Sequence, residues 1–264
     1  MKVRDLFIPG PGEPLRLRVY RPDTASTLPM ILYVQGGAFT YGSPEAEEGR
    51  SLRYAAEVEA VVVSVDYRLA PEHPFPAATD DAYAALVWTA ANAADLGGDP
   101  RRIAVAGGSA GGTVLRARDL DGPYVALQAL TYPGLDAGAT SASMREFTDT
   151  AVLNRAAMVR GWQYYASEHR TEPYASPLQA PDLDGLLHAV RPGAAWTQRA
   201  STAGASAHAG RAVGGGPVRV RGAPLAARSS PYEQTRRHRY AWRVRATTRP
   251  PGHSRKCRMS APSS

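Results

Sequence analysis

Apolar positions fall into two kinds of pattern over the first half of the chain. Residues 15–20 (LRLRVY) place apolar side chains at every second position, as a strand with one buried face does. Residues 30–34 (MILYV), 60–65 (AVVVSV) and 102–106 (RIAVA) are nearly continuous apolar runs, which suit strands covered on both faces. Between them lie two stretches of helical length, 45–59 and 77–95, and in the second Ala82, Ala85, Leu86 and Trp88 fall on one face. A further strand is predicted at 125–132, ended by Pro133, and a further helix at 152–167. Strands alternating with helices predict an α/β fold, a mostly parallel sheet with helices on both faces.

After Leu186 the periodicity stops and the charge reverses. Residues 1–186 hold 16 Lys+Arg against 23 Asp+Glu, whereas residues 187–264 hold 15 against 1. In those last 78 residues Leu, Ile, Val and Phe number 7, below the roughly 20% that a highly charged segment needs to bury a core. The expected organisation is a folded domain over 1–186 and an Arg-rich tail over 187–264 without stable order. The one cysteine, Cys257, rules out an intrachain disulfide framework and a Cys-rich zinc module. The longest uncharged stretch, Thr24 to Pro44, is broken by Pro29, Gly36, Gly37 and Gly42 and cannot form a bilayer-spanning helix. Asp5, Pro9, Pro11 and Pro14 leave the N-terminus without the apolar core of a signal peptide. A soluble cytoplasmic protein without a membrane partner is expected.

Residues 107–111 read Gly-Gly-Ser-Ala-Gly, directly after the predicted strand 102–106. G-x-S-x-G in that context exposes the serine on a strand-to-helix turn too tight for neighbouring Cβ atoms. A Gly/Ser-rich turn is common enough that the motif alone is weak. The dinucleotide pattern G-x-G-x-x-G fails because Ser109 stands two after Gly107, and no Walker pattern occurs. The strand 30–34 in turn runs into Gln35-Gly36-Gly37-Ala38-Phe39. A Gly-rich turn there, with the residue after the nucleophile, presents backbone N–H groups to an oxyanion. The candidate site is therefore Ser109 as nucleophile, with Gly36, Gly37 and Ala110 as donors.

Four segments in order, YVQGGAFTYGS (33–43), VVSVDYRLAPEHPFPAATDDAYAALVW (62–88), GGDPRRIAVAGGSAGG (97–112) and YASPLQAPDLDGL (174–186), resemble the hormone-sensitive-lipase-like branch of the α/β-hydrolases, the acetyl esterase/lipase or fold-3 type. The resemblance implies an α/β-hydrolase fold and a serine carboxylesterase acting on small acyl esters without a cofactor. Within it, 66–72 reads as a structural turn with a buried charge pair, His73 as a loop histidine, and Trp88 as packing.

The chain departs from that family at defined places. Gln35 stands where the oxyanion motif begins with His, and Gly108 where the nucleophile motif usually has Asp. The Arg118-Asp119 pair that closes the helix comes ten positions after Ser109, where about fifteen are expected, a loss of about 7.5 Å of helix. The first strand is expected near residue 15, without the family's preceding cap helices, so the acyl pocket should be more open. A triad also needs a base and a carboxylate to orient it. Residues 187–264 contain no Asp and no His followed by Gly; His188 comes too early, His208 and His238 lack family-like neighbours, and His253 is followed by Ser254. Glu233 is badly spaced, and Asp136, Asp149, Asp182 and Asp184 come before the expected acid strand. Acid and base stay unassigned. A frameshift after Leu186 in a GC-rich gene would convert Ala-rich text into the Arg/Gly/Pro/Ser text seen, remove the last strands, and leave the strand at 125–132 with a bare edge. Two rivals to the esterase are thus an inactive truncated or frameshifted remnant and nucleic-acid binding through the basic tail, where Arg236-Arg237-His238-Arg239-Tyr240-Ala241-Trp242-Arg243 interleaves aromatics with charge. No recognition fold surrounds that segment, which makes nucleic acid the weakest reading; the oligomeric state is not indicated.

Overall fold

The computed structural model describes residues 1–108, 111–131, 133–140, 154–184, 186, 189 and 190. In chain order its elements are β1 (Lys2–Ile8), β2 (Leu15–Arg21), β3 (Leu28–Val34), α1 (Glu48–Glu57), β4 (Val61–Val65), α2 (Ala77–Ala91), β5 (Gly98–Gly107), α3 (Gly111–Asp119), β6 (Leu127–Leu130), α4 (Arg155–Ala166), a 3-10 turn (Pro177–Gln179) and β7 (Ala189–Val190). The sheet runs β1-β2-β4-β3-β5-β6-β7. β1, β2 and β4 pair antiparallel, and β4, β3, β5, β6 and β7 pair in parallel. This is the mostly parallel α/β sheet that the apolar runs predict.

Register explains why those runs are continuous. Val19, Val63, Leu32 and Val105 lie opposite one another across four strands, on the face that also buries Ala82, Ala85 and Leu86 of α2 and Trp162 and Tyr165 of α4. Their neighbours Tyr20, Val62, Ile31 and Ala104 form the next row and point to the other face, where Ala55 of α1 packs. Both faces are dry, so both parities of each strand are apolar. Each such valine or leucine contributes roughly 1.5–3 kcal/mol by leaving water.

Two strands lie outside the expected set. β1 begins at Lys2, so the first strand is not near residue 15. It escapes a periodicity reading because most of its side chains are exposed. It is held instead by its backbone pairing to β2 and by the Asp5 carboxylate, which accepts from Arg18 Nε at 2.7 Å and Nη2 at 2.9 Å. β7 pairs with β6 through Gln128↔Ala189 and Ala129↔Val190. The sheet therefore continues past Leu186, itself packed on the core, and β6 does not have the bare edge that was expected.

Helix α3 is as short as the sequence indicates, and it is properly ended. Gly122 N–H donates to Ala117 O at 2.8 Å and Asp121 N–H to Arg118 O at 3.2 Å, with Asp121 at φ 48°. That is a Schellman stop with aspartate in the left-handed position usually given to glycine. Ahead of α1, Arg16 holds Glu45 with two hydrogen bonds, 2.6 and 3.1 Å, and Asp66 with another at 2.8 Å.

Two outcomes follow. Because Asp121 is exposed and left-handed, Asp121→Gly should raise unfolding stability by about 0.5–1 kcal/mol; a lower urea midpoint would show that α3 does not end this way. Arg16 holds the Glu45 carboxyl down from its ordinary 4.5 to about 2. A lowered pKa means that the pair stabilises the fold above pH 4.5 and that this contribution disappears as the pH falls toward 2. Glu45 is partly exposed, so Glu45→Gln should cost up to about 1 kcal/mol at neutral pH, and the gap to the wild type should close by pH 2. A gap that stays constant across that range would exclude ionisation as its cause.

Candidate active site

The end of β5 meets the end of β3 with no room for a side chain. Gly107 is opposite Val34 in the parallel ladder, at φ +131°, and a Cβ there would lie 1.8 Å from the Val34 carbonyl oxygen. That carbonyl accepts from Gly108 N–H at 3.2 Å, while Thr131 N–H donates to Gly107 O at 3.0 Å. Only residues 108–110 separate the strand from α3. Gly107 thus has the role read for it from G-x-S-x-G. Ser109 and Ala110 themselves lie outside the described residues.

The turn leaving β3 is equally constrained. Gly37 (φ +135°) accepts at its carbonyl from Thr40 N–H at 3.0 Å and Tyr41 N–H at 3.2 Å, and a Cβ on it would collide with Tyr41 O at 1.9 Å. Ala38 and Phe39 follow at φ 50° and 61°. A bulky residue in the left-handed region persists only where its surroundings hold it. Here the Phe39 ring stacks on Tyr165 of α4, centroids 3.8 Å apart and planes at 7°, and leans on Trp162. Gly161 lets α4 approach closely enough that a Cβ there would sit 3.2 Å from Ala38 Cβ. Because Val34 and Gly107 are paired, Gly36 and Gly37 begin next to the turn that carries Ser109.

Gln35 is wholly buried beneath this turn. Its carbonyl accepts from the Tyr67 hydroxyl at 2.9 Å, but among the described residues its side-chain Oε1 and Nε2 have no hydrogen-bond partner. Tyr67 belongs to the 66–72 segment, where Arg68 holds the buried Asp81 carboxylate at 2.8 and 2.9 Å. The charge pair expected there is present. His73 is exposed in the following loop, and Trp88 packs against the core. Sequence reading did not find the Phe39 conformation or its α4 partners, because that contact spans more than a hundred residues.

Neither acid nor base emerges from the described residues. Asp136 is buried and saturated, accepting from Gly138 N–H, Thr140 N–H and Thr140 Oγ1 at 2.9–3.0 Å. Asp182 is bound by Arg118 at 3.1 Å, and His169 is exposed with its ring 5.4 Å from Phe75. Asp149 and the tail histidines lie outside the described residues. A cleft of about 390 Å³ is lined by Phe7, Leu15, Arg16, Asp66 and Arg68 among others and includes no residue of either turn. Among the described residues no group of three metal-ligating side chains is placed to hold an ion, and no helix is long and apolar enough to cross a membrane.

The family profile of the α/β-hydrolase fold matches residues 31–197. The chain belongs to the α/β-hydrolase fold-3 family. It is similar to esterase LipI of Mycobacterium tuberculosis, 40% identical over 197 residues that cover 70% of this chain and 62% of LipI. It is also similar to carboxylesterase NlhH of the same species, 41% identical over 181 residues, 64% of this chain and 57% of NlhH. A solved hyperthermophilic esterase of Pyrobaculum calidifontis superimposes with a TM-score of 0.69 at 42% identity, covering 72% of this chain and 64% of that one. The chain therefore spans about six-tenths of the length of these curated relatives. In this α/β-hydrolase the buried Gln35 amide, without a partner among the described residues, is an energetic cost at the start of the turn after β3. Gln35→Met keeps the length and removes the polar atoms, and should raise unfolding stability by about 1–3 kcal/mol. A lower thermal midpoint would show that the amide is bonded in solution.

Proposed function

We propose that this α/β-hydrolase is a serine carboxylesterase for small acyl esters, with Ser109 as nucleophile and the N–H groups of Gly36, Gly37 and Ala110 as the oxyanion hole. The observation that carries the reading is the junction of Val34 with Gly107, which starts the glycine turn and the G-x-S-x-G turn from paired residues. In this mechanism Ser109 Oγ attacks the acyl carbonyl carbon while solvent water takes the hydroxyl proton and later returns one to the departing alkoxide, and the developing oxyanion accepts from the three amides. The alcohol then departs, and water releases the acid from the acyl-serine. Backbone donors fixed before the reaction need no reorganisation as charge develops, which is their advantage over water. The esterase names of the relatives support the same reaction class. No step calls for a cofactor. A reducing cytoplasm suits a chain with one cysteine.

The division into a catalytic region and an Arg-rich tail after residue 186 belongs to the same proposal, with the first region extended to β7. Acid and base are not assigned, and a nucleophile with oxyanion donors but no base still retains roughly 10³–10⁴-fold over water. The expected result is slow hydrolysis of p-nitrophenyl acetate and covalent labelling by a fluorophosphonate, both lost in Ser109→Ala. Labelling or turnover that survives Ser109→Ala would overturn the assignment.

A further inference from the structure

We infer that Arg116 is a positioning residue for the nucleophile turn, acting by locking α3 onto the first turn of α2; this rests on the esterase reading above. A nine-residue helix is below the about 12–15 residues at which an isolated helix becomes even marginally stable. Tertiary contacts must hold it. Of the side chains described on α3, the buried ones are the small Thr113 and Ala117, which offer little apolar area.

Arg116 supplies what they do not. Its Nη1 is hydrogen-bonded to the Asp80 carboxylate in the first turn of α2. Its guanidinium carbon lies 5.5 Å from the ring centroids of both Tyr83, on α2, and Tyr174, just before the 3-10 turn. The planar guanidinium can face two rings and donate in its own plane at the same time; an ammonium cannot. Tyr83 also reaches the end of α3, where a Cβ on Gly122 would meet its hydroxyl at 2.7 Å. The neighbouring Asp81 holds Arg68, next to the Tyr67 that bonds the Gln35 carbonyl. Two consecutive carboxylates on α2 thereby fix both turns of the site: Asp80 the one carrying Ser109, Asp81 the one carrying Gly36 and Gly37.

The test uses the full chain with Arg116→Lys, Arg116→Met and a control, Val62→Ala, which weakens the opposite face of the sheet. The rate of fluorophosphonate labelling is compared with the thermal midpoint and with amide hydrogen exchange over 111–119. Both Arg116 variants should label at least about tenfold more slowly, since small misplacement of a nucleophile is costly. Exchange should quicken in α3 while α2 stays protected. The control should lose thermal stability but keep its labelling rate. Labelling by Arg116→Lys at the wild-type rate, or a loss that merely follows the thermal midpoint in all three variants, overturns the inference. If the wild type itself takes no label, the esterase reading fails; unchanged α3 exchange in Arg116→Met then overturns the clamp, and faster exchange there supports it.

Discussion

The parallel pairing of β3 with β5 brings the Val34 carbonyl to within 1.8 Å of where a Cβ on residue 107 would stand, and the geometry of the site depends on glycine occupying that position. With hydrogen there instead, the two strands end flush. Val34 O can then take the Gly108 amide, and the chain turns into α3 within three residues. Any side chain at 107 would push the strands apart and separate the two loops on whose proximity the proposed reaction rests.

Around that junction the fold places supports of different kinds. The turn after β3 holds three successive positive-φ residues, Gly37, Ala38 and Phe39, and only the glycine adopts such angles freely. The rest of the turn is kept in place by burial of the Phe39 ring against Tyr165 and Trp162 and by Ala70 N–H donating to Phe39 O at 2.9 Å. The turn after β5 leads into a helix too short to persist by itself; among its described side chains Ala117 packs in the core and Arg116 bonds Asp80 of α2. The turn after β3 therefore rests on α4 through its aromatic ring and on α2 through Asp81, and α3 rests on α2 through Asp80. The two supports on α2 lie at its N-terminal end, where Asp80 and Asp81 point to different partners.

Much of this was legible in advance. Continuous apolar runs over 30–34, 60–65 and 102–106 predict strands buried on both faces, and β3, β4 and β5 are such strands. G-x-S-x-G directly after a strand marks Gly107, a glycine-rich turn after another strand marks Gly36 and Gly37, and Gly107 and Gly37 adopt backbone angles or approaches that a Cβ would forbid. β1 was missed because an edge strand held by Asp5, Arg16 and Arg18 needs no apolar face. β7 was missed because two residues carry no periodicity; their strand identity comes wholly from β6.

The sequence by itself determined the strands β2 to β6, their burial on two faces and the positions of the two glycine turns, since each depends on local steric limits or on a repeat of apolar side chains along one segment. Only the tertiary structure decided that Phe39 is held by α4, that Arg68 and Arg116 divide between Asp81 and Asp80, and that Gln35 is buried without a side-chain partner among the described residues. Those relations join residues 13 to about 125 positions apart, and no local pattern encodes which charge or ring will lie opposite once the chain has folded.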